Sequence, residues 1–263
     1  MSTFIVAEAG ANHNRDWDLA IQLIDAAVAA KCNAVKFQTY SSETLYSKNT
    51  PDFANYKNLP ELIKSIELPR DWQSELKSYC DDSGIEFMSS PFDEKAVDDL
   101  YNLGVKRLKI AGFEATDPRF VRYAASTKLP LIITAGIGAD ISVMRKIVSW
   151  VLDENSDADL TFLHGNNAYP TPFQDINLGQ ISEIKNTIFD CKVKVGISDH
   201  TLGILTPPVA VALGAEVVEK HYTLSRSLKG PDHPFAIEPN ELTEMVANIR
   251  TIESALGKKD RFT

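Results

Sequence analysis

Cysteine is scarce in this chain: Cys32, Cys80 and Cys191 are odd in number, far apart and set among apolar neighbours. That usage argues against a disulfide framework or a cysteine metal site and predicts buried, reduced thiols. Long apolar runs are missing as well, none approaching the roughly 18 residues a membrane helix needs. The opening stretch MSTFIVAEAGANHN lacks the basic-then-apolar layout of a secretory leader, so a cytoplasmic location is expected. Basic side chains are in deficit, 27 against 36 acidic ones, and the net charge of -9 opposes binding to nucleic acid or to an acidic membrane surface. An acidic surface can still enclose a small basic pocket. A glycine-rich nucleotide fingerprint is absent too, because AGANHN after the first apolar run does not fit G-x-G-x-x-G.

What is present is an even alternation. Hydrophobic residues fill 44% of 263 positions and charged residues 24%, without a compositional break, which predicts one domain over 1–263 with one large core. Short β-branched or apolar runs follow longer segments of helical period. Eight of them read as strands: Phe4 to Ala7, Ala34 to Phe37, Ile85 to Met88, Arg107 to Ile110, Leu131 to Thr134, Leu160 to Leu163, Val193 to Ser198 and Val217 to His221. Asp16 to Lys31, with apolar residues every three to four positions, is representative of the helices between them. Eight β-α units in a chain of this length predict an α/β fold, a single closed (β/α)8 TIM barrel, with an open doubly wound sheet as the alternative. The stretch from Tyr40 to Pro69 is too long for a plain barrel loop, and long loops of this kind usually cover a site.

In such a barrel the C-terminal ends of the strands converge on one mouth. Every predicted strand carries a polar group there: Glu8; Lys36 with Gln38; Ser89 and Ser90; Lys109 with Glu114; Thr134; Asn167 with Tyr169; Ser198, Asp199 and His200; Glu219 and His221. A lone lysine or serine at a strand end is usually a solvated edge or a turn former, but a polar group on all eight ends points to a functional mouth. Lys36 and Lys109 lie within otherwise apolar strands and would make a cationic spot suited to phosphate or carboxylate. Ser89, Ser90 and Thr134 can add neutral donors, and backbone N–H groups of AGFE and TAGIG can complete the cradle. His200 and His221, at the ends of neighbouring strands, suit a divalent metal or, equally, a hydrogen-bonded buried pair. His13 can help cap the first helix, and His164 and His233 read as turn residues. Glu8, Asp199, Glu219 and Asp232 are the carboxyls placed for acid-base work.

Seven motifs, KFQT (36–39), SSPFD (89–93), KIAGFE (109–114), NNAYPTP (166–172), GISDHT (196–201), EKHYTL (219–224) and GPDH (230–233), occur in order along the chain. In order and spacing they resemble the sialic acid synthase family, which includes N-acetylneuraminate, legionaminate and pseudaminate synthases. The resemblance implies condensation of phosphoenolpyruvate with an open-chain N-acyl amino sugar to a nine-carbon 2-keto acid and phosphate. It implies that Lys36, Ser90, Lys109, Thr134, Asn167 and Ser198, with Glu219 beside them, hold phosphoenolpyruvate. It further implies that His200 and His221 bind a divalent metal (manganese, magnesium or cobalt) that polarises the sugar aldehyde. Glu8 corresponds to a residue that orients water or moves a proton, and Tyr169 and Asp232 to contacts shaping the sugar site. The sequence departs from the family at Ala111 and Gly112, where a serine hydroxyl is replaced by a backbone N–H at Gly112, at HGNN in place of a more polar run, and at Ala236 and Ile237. It also ends at ALGKKDRFT, where the family continues into an antifreeze-like domain that supplies an arginine across a homodimer. The expectation is a homodimer in which the 40–69 insert or a separate chain takes over the lid. Two other functions fit a barrel with lysines at its mouth: a Schiff-base aldolase using Lys36 or Lys109, and a barrel that binds ligand without turnover.

Overall fold

A computed structural model of the protein describes residues 2–47, 50, 58–134, 140–187 and 193–257. Cys191 and the backbone of 135–139, to which donors for an anion cradle were assigned, lie outside the described residues. All eight expected strands form: β1 (Phe4–Gly10), β2 (Ala34–Thr39), β3 (Glu86–Pro91), β4 (Leu108–Ile110), β5 (Leu131–Thr134), β6 (Leu160–Gly165), β7 (Lys194–Asp199) and β8 (Val217–His221). The helices between and after them are α1 (Trp17–Ala29), α2 (Leu59–Ile66), α3 (Gln73–Asp82), α4 (Glu94–Leu103), α5 (Pro118–Ser126), α6 (Ile141–Glu154), α7 (Gly179–Thr187), α8 (Thr206–Ala212) and α9 (Pro239–Leu256). Every ladder is parallel, in the order β3-β2-β1-β8-β7-β6-β5-β4, and β4 packs beside β3 so that the sheet curls into a nearly closed (β/α)8 barrel.

The strand period of two sorts the side chains into two shells. Outward residues such as Ile5, Ala7, Phe37, Ile110, Phe162 and Val218 pack under the helices in the main core. Inward residues Val6, Ala34, Met88, Ile132, Leu163 and Val217 make a separate apolar plug at the bottom of the barrel. Two residues further along the same faces the inward positions turn polar, giving Glu8 above Val6, Lys36 above Ala34, Ser90 above Met88, Thr134 above Ile132 and Glu219 above Val217. The plug therefore fixes the floor on which a polar ring stands, each large apolar member contributing about 1.5 to 3 kcal/mol by its burial.

Strand ends differ from expectation where polar residues interrupt an apolar run. β1 continues past Ala7 through Glu8 to Gly10, since pairing with β2 and β8 outweighs the loss of apolar pattern. The first helix is capped by the Asp16 carboxylate, whose Oδ1 accepts from Leu19 N–H at 3.1 Å. His13 is not that cap: its Nδ1 accepts from Arg15 N–H at 3.0 Å in the turn before the helix. Within the 40–69 insert, Leu59, Ile63 and Ile66 line the buried side of α2, and Ile63 and Ile66 meet Ala11 and Tyr40 in a small apolar cluster beside the mouth. That cluster ties the described part of the insert to the barrel; 48, 49 and 51–57 are outside the described residues.

Gly196 on β7 has the least room of the described glycines for a side chain. A Cβ there would stand 2.3 Å from the Val217 carbonyl oxygen and 2.7 Å from Leu163 Cδ2. Backbone cannot yield as a flexible side-chain end does, so Gly196→Ala is expected to lose about 1 to 3 kcal/mol or more. A urea midpoint unchanged from the parent would show that β7 and β8 can separate without cost.

Candidate active site

The polar ring closes over one cavity at the C-terminal ends of the strands, lined by Glu8, Lys36, Gln38, Ser90, Lys109, Thr134, Asn167, Tyr169, Ser198, His200, Glu219 and His221, with Ala111 and Gly112 at one side. All the expected binding and metal residues except Asp232 line it directly. Asp232 comes from the loop after β8 and places Oδ2 3.6 Å from His221 Nδ1.

Two lysines and two carboxylates dominate its charge. Lys36 Nζ lies 2.7 Å from Glu8 Oε2, 3.0 Å from Ser90 Oγ and 3.7 Å from Glu219 Oε2. Lys109 Nζ lies 3.2 Å from Glu219 Oε1, which also accepts from the Ser198 hydroxyl at 3.1 Å. The Gln38 amide donates to Glu8 Oε1 at 2.9 Å. Burial raises the Glu219 carboxyl, but Lys109 and Lys36 outweigh it and hold the group at about 2. Burial wins at Glu8, opposed by Lys36 and aided by Glu219, and lifts its carboxyl to about 7. Burial depresses both lysines; at Lys36 the Glu219 and Glu8 carboxylates reverse it and raise the amine, whereas Lys109 stays below its ordinary value. Thr134 Oγ1 and Asn167 Nδ2 are buried in the same cavity without a hydrogen-bond partner. Buried donors are seldom left unpaired, so the pair fits an oxygen-rich ligand that would accept from them.

Across the cavity the rings of His200 and His221 stand 5.5 Å apart, with Tyr169 4.2 Å from His200 and Phe235 5.2 Å from His221. Burial lowers His200 to about 4 and His221 well below its ordinary value, so both imidazoles are neutral at pH 7. His200 Nδ1 donates to the Asn166 carbonyl at 2.7 Å, which leaves the lone pair on Nε2. His221 Nδ1 is buried without a hydrogen-bond partner. Two neutral nitrogen donors fit a divalent cation of borderline softness. Among the described residues no group of three or more His, Cys, Asp or Glu side chains is arranged to hold a metal, so oxygens from substrate and water would complete the shell.

Several mouth residues named from sequence belong elsewhere, and strand alternation is the reason. Ser89 points outward, its hydroxyl 2.7 Å from Thr39 Oγ1, while its neighbour Ser90 points in. Asp199 also points outward, bound to Lys220 at 2.7 Å, so it is not an acid-base group of this cavity. Glu114 lines a separate depression with Asp117 and Arg119. His164 is not a turn residue: it lies within β6, and its Nε2 pairs with the Ile176 carbonyl at 2.6 Å. His233 does lie in a turn, buried and paired through Nδ1 with Thr223 Oγ1 at 2.6 Å. Sequence reasoning overlooked Phe235 and Gly10. Gly10 ends β1 at φ +51° beside a register shift between Glu8 and Gly10, and a Cβ on it would come within 3.0 Å of Asp232 Oδ2. The glycine in AEAG was the available signal.

A family model described as the NeuB family matches residues 23–261. The chain is 42% identical over 272 residues to the N,N'-diacetyllegionaminic acid synthase of Legionella pneumophila, covering 99% of this chain and 75% of that protein. It is 37% identical over 261 residues to a pseudaminic acid synthase of Campylobacter jejuni, covering 97% of this chain and 75% of that protein. Among solved structures, the N-acetylneuraminic acid (sialic acid) synthetase of Leptospira borgpetersenii, crystallised in complex with citrate, superposes with a TM-score of 0.91 at 35% identity, covering 100% of this chain and 88% of that one.

Proposed function

The chain belongs to the NeuB family, and from that premise we propose that it condenses phosphoenolpyruvate with an open-chain N-acyl amino sugar, yielding a nine-carbon 2-keto sugar acid and phosphate. It is a transferase of the sialic acid synthase type, assisted by a divalent metal, with 1–263 acting as one barrel domain. The observation that carries this reading is the placement of two lysines and two unpartnered donors, Thr134 and Asn167, in one buried cavity facing two neutral imidazoles.

The anion takes the side of Lys36, Lys109, Ser90, Ser198, Thr134 and Asn167. There the ammonium groups stand in a water-poor site where each interaction is stronger than at the surface. Glu219 spans the two lysines, 3.7 and 3.2 Å away, and so sets their spacing before substrate arrives. His200 and His221 would hold the metal; when bound it supplies Lewis-acid polarisation of the sugar aldehyde. In the reaction C3 of the enol attacks C1 of the aldehyde, water adds at C2, and the C2–O bond to phosphate breaks. Glu8 is the carboxyl able to take the proton from that water, being near half-ionised at pH 7. Tyr169 and Asp232 flank the histidines where the sugar chain would lie. Its acyl group is read by the 40–69 insert or by a second chain of a homodimer.

A Schiff-base reading asks for a neutral amine. Lys36, 2.7 Å from Glu8 and raised in pKa, is held protonated, which leaves Lys109 as the lone nucleophile for that chemistry. Phosphate release from phosphoenolpyruvate with manganese and a panel of N-acyl amino sugars tests the synthase. Chelator-resistant activity with borohydride trapping of substrate on Lys109 would replace it by the aldolase.

Glu8 also makes substrate binding depend on pH. Below pH 7 its neutral carboxyl leaves Lys36, Lys109 and Glu219 with a net positive charge; above pH 7 the second carboxylate cancels it. Affinity for phosphoenolpyruvate should therefore fall as pH rises through about 7. The ligand's own phosphate titrates near pH 6, so the comparison is with Glu8→Gln, which should lose the component centred near 7. Titration curves of identical slope in both proteins would remove Glu8 from the binding equilibrium.

A further inference from the structure

Behind the cavity, on the face of the sheet turned to the helices, lies a buried ion pair to which neither the reaction nor substrate binding assigns a role. Lys220 Nζ sits 2.7 Å from Asp199 Oδ2, and their side chains are 1% and 0% exposed. The two residues face each other on the β7–β8 ladder, one rung beyond Ser198 and Glu219. That rung is the last. His200 and His221 follow it directly in sequence, with no ladder pairing between them.

The pair also grips the chain beyond His200. Asp199 Oδ1 accepts from the Thr201 N–H at 3.0 Å, and Lys220 Nζ donates to the Thr201 carbonyl. Both backbone polar groups of the residue after one imidazole are thereby tied to side chains that flank the two imidazoles: Asp199 before His200, Lys220 before His221. The carbonyls of His200 and His221 are held from other loops, by Thr171 N–H at 2.9 Å and Ile237 N–H at 3.1 Å. Those bonds anchor each histidine separately. The pair adds a side-chain tie between the two strands at the last rung and on into the chain beyond His200.

We propose that Asp199 and Lys220 form a positioning clasp that sets the separation of the His200 and His221 imidazoles, and hence the affinity of that pair for a divalent cation, without touching substrate. The inference rests on the metal reading of the histidine pair. Outer-shell groups that orient metal ligands typically change affinity by 10- to 100-fold when replaced, and this pair would act on both imidazoles through the backbone. Removing one member would strand a buried charge, so the principal variant is Asp199→Asn/Lys220→Met, which discharges both together. Asp199→Asn alone is the second variant, because the asparagine carbonyl can still accept from Thr201 N–H.

The experiment is Mn(II) titration followed by electron paramagnetic resonance on the full chain, with thermal melts and phosphoenolpyruvate calorimetry on the same samples. The double variant is expected to melt cooperatively, bind phosphoenolpyruvate within about threefold of the parent and lose tenfold or more in Mn(II) affinity; Asp199→Asn should fall between the two. His200→Ala is the control that marks the metal site. Folded variants that bind Mn(II) as the parent does, while His200→Ala does not, would overturn the clasp and leave the metal site standing. A parent that binds no Mn(II), or His200→Ala binding it unchanged, would overturn the metal reading and the clasp with it. Should the double variant fail to fold, parental Mn(II) affinity in folded Asp199→Asn overturns the proposal by itself.

Discussion

Replacing either His200 or His221 by alanine is expected to reduce turnover by roughly a thousandfold or more while the barrel stays folded. Under the proposed mechanism each would contribute one of two protein nitrogens holding the cation, and Lewis-acid polarisation is worth several kcal/mol at a reacting carbonyl, where 1.36 kcal/mol is tenfold in rate. Both rings are buried beside the cavity against Tyr169 and Phe235, above the apolar plug, so their loss costs some packing but leaves the floor of the barrel intact. The His200 ring meets Tyr169 and one backbone carbonyl. The two substitutions should also resemble each other in effect, since neither imidazole alone has a third side chain to fall back on among the described residues. The measurement is steady-state phosphate release after thorough metal removal and reloading, beside a thermal melt. Parental turnover in either folded variant would end the assignment of the pair as a metal site.

How much of this was legible beforehand follows from what periodicity can carry. Strand existence and order came through because apolar runs such as LIIT and LTFL contrast sharply with the amphipathic helices around them. Placement of Lys36, Lys109, Ser198 and Glu219 at one mouth came through because parallel strands put all their C-terminal ends on one side. Which face each side chain takes was not readable at strand ends, where two polar residues stand together. Ser89 with Ser90 and Ser198 with Asp199 each split between the two faces of the sheet, and one residue of register decides which enters the cavity. The β1 bulge that delivers Gly10 beneath Asp232 was equally hidden, because it depends on how β1 pairs with β2 and not on its composition. Charge state was hidden most of all. Four ionisable groups in one buried cluster set one another's protonation, and only their distances reveal that Glu219 is the firm carboxylate and Glu8 the labile one.

That division of labour gives the lysines a test which separates binding from folding. Lys109→Met removes an ammonium 3.2 Å from Glu219, leaving a buried carboxylate with Lys36 at 3.7 Å and a serine hydroxyl. Breaking such a pair from one side costs about 3 to 5 kcal/mol, much of it for the charge left behind. The pH dependence of stability should reveal the cause. A carboxyl held at about 2 in the folded protein against 4.5 ordinarily adds stability above pH 4.5, which is lost as pH falls towards 2. In Lys109→Met the folded value rises, so this acid-labile share shrinks and the variant is weakened at pH 7 more than at pH 3. Adding Glu219→Gln removes the stranded charge, and Lys109→Met/Glu219→Gln should regain most of the lost stability in urea. It should not regain the ligand. A charge-assisted hydrogen bond to phosphoenolpyruvate is worth about 1.5 to 3 kcal/mol, so both variants should bind it ten- to a hundredfold more weakly in calorimetry. Sugar binding should change far less than phosphoenolpyruvate binding in the double variant. If that variant were as stable as the parent and bound phosphoenolpyruvate equally well, Lys109 would be a counter-charge for Glu219 and nothing more.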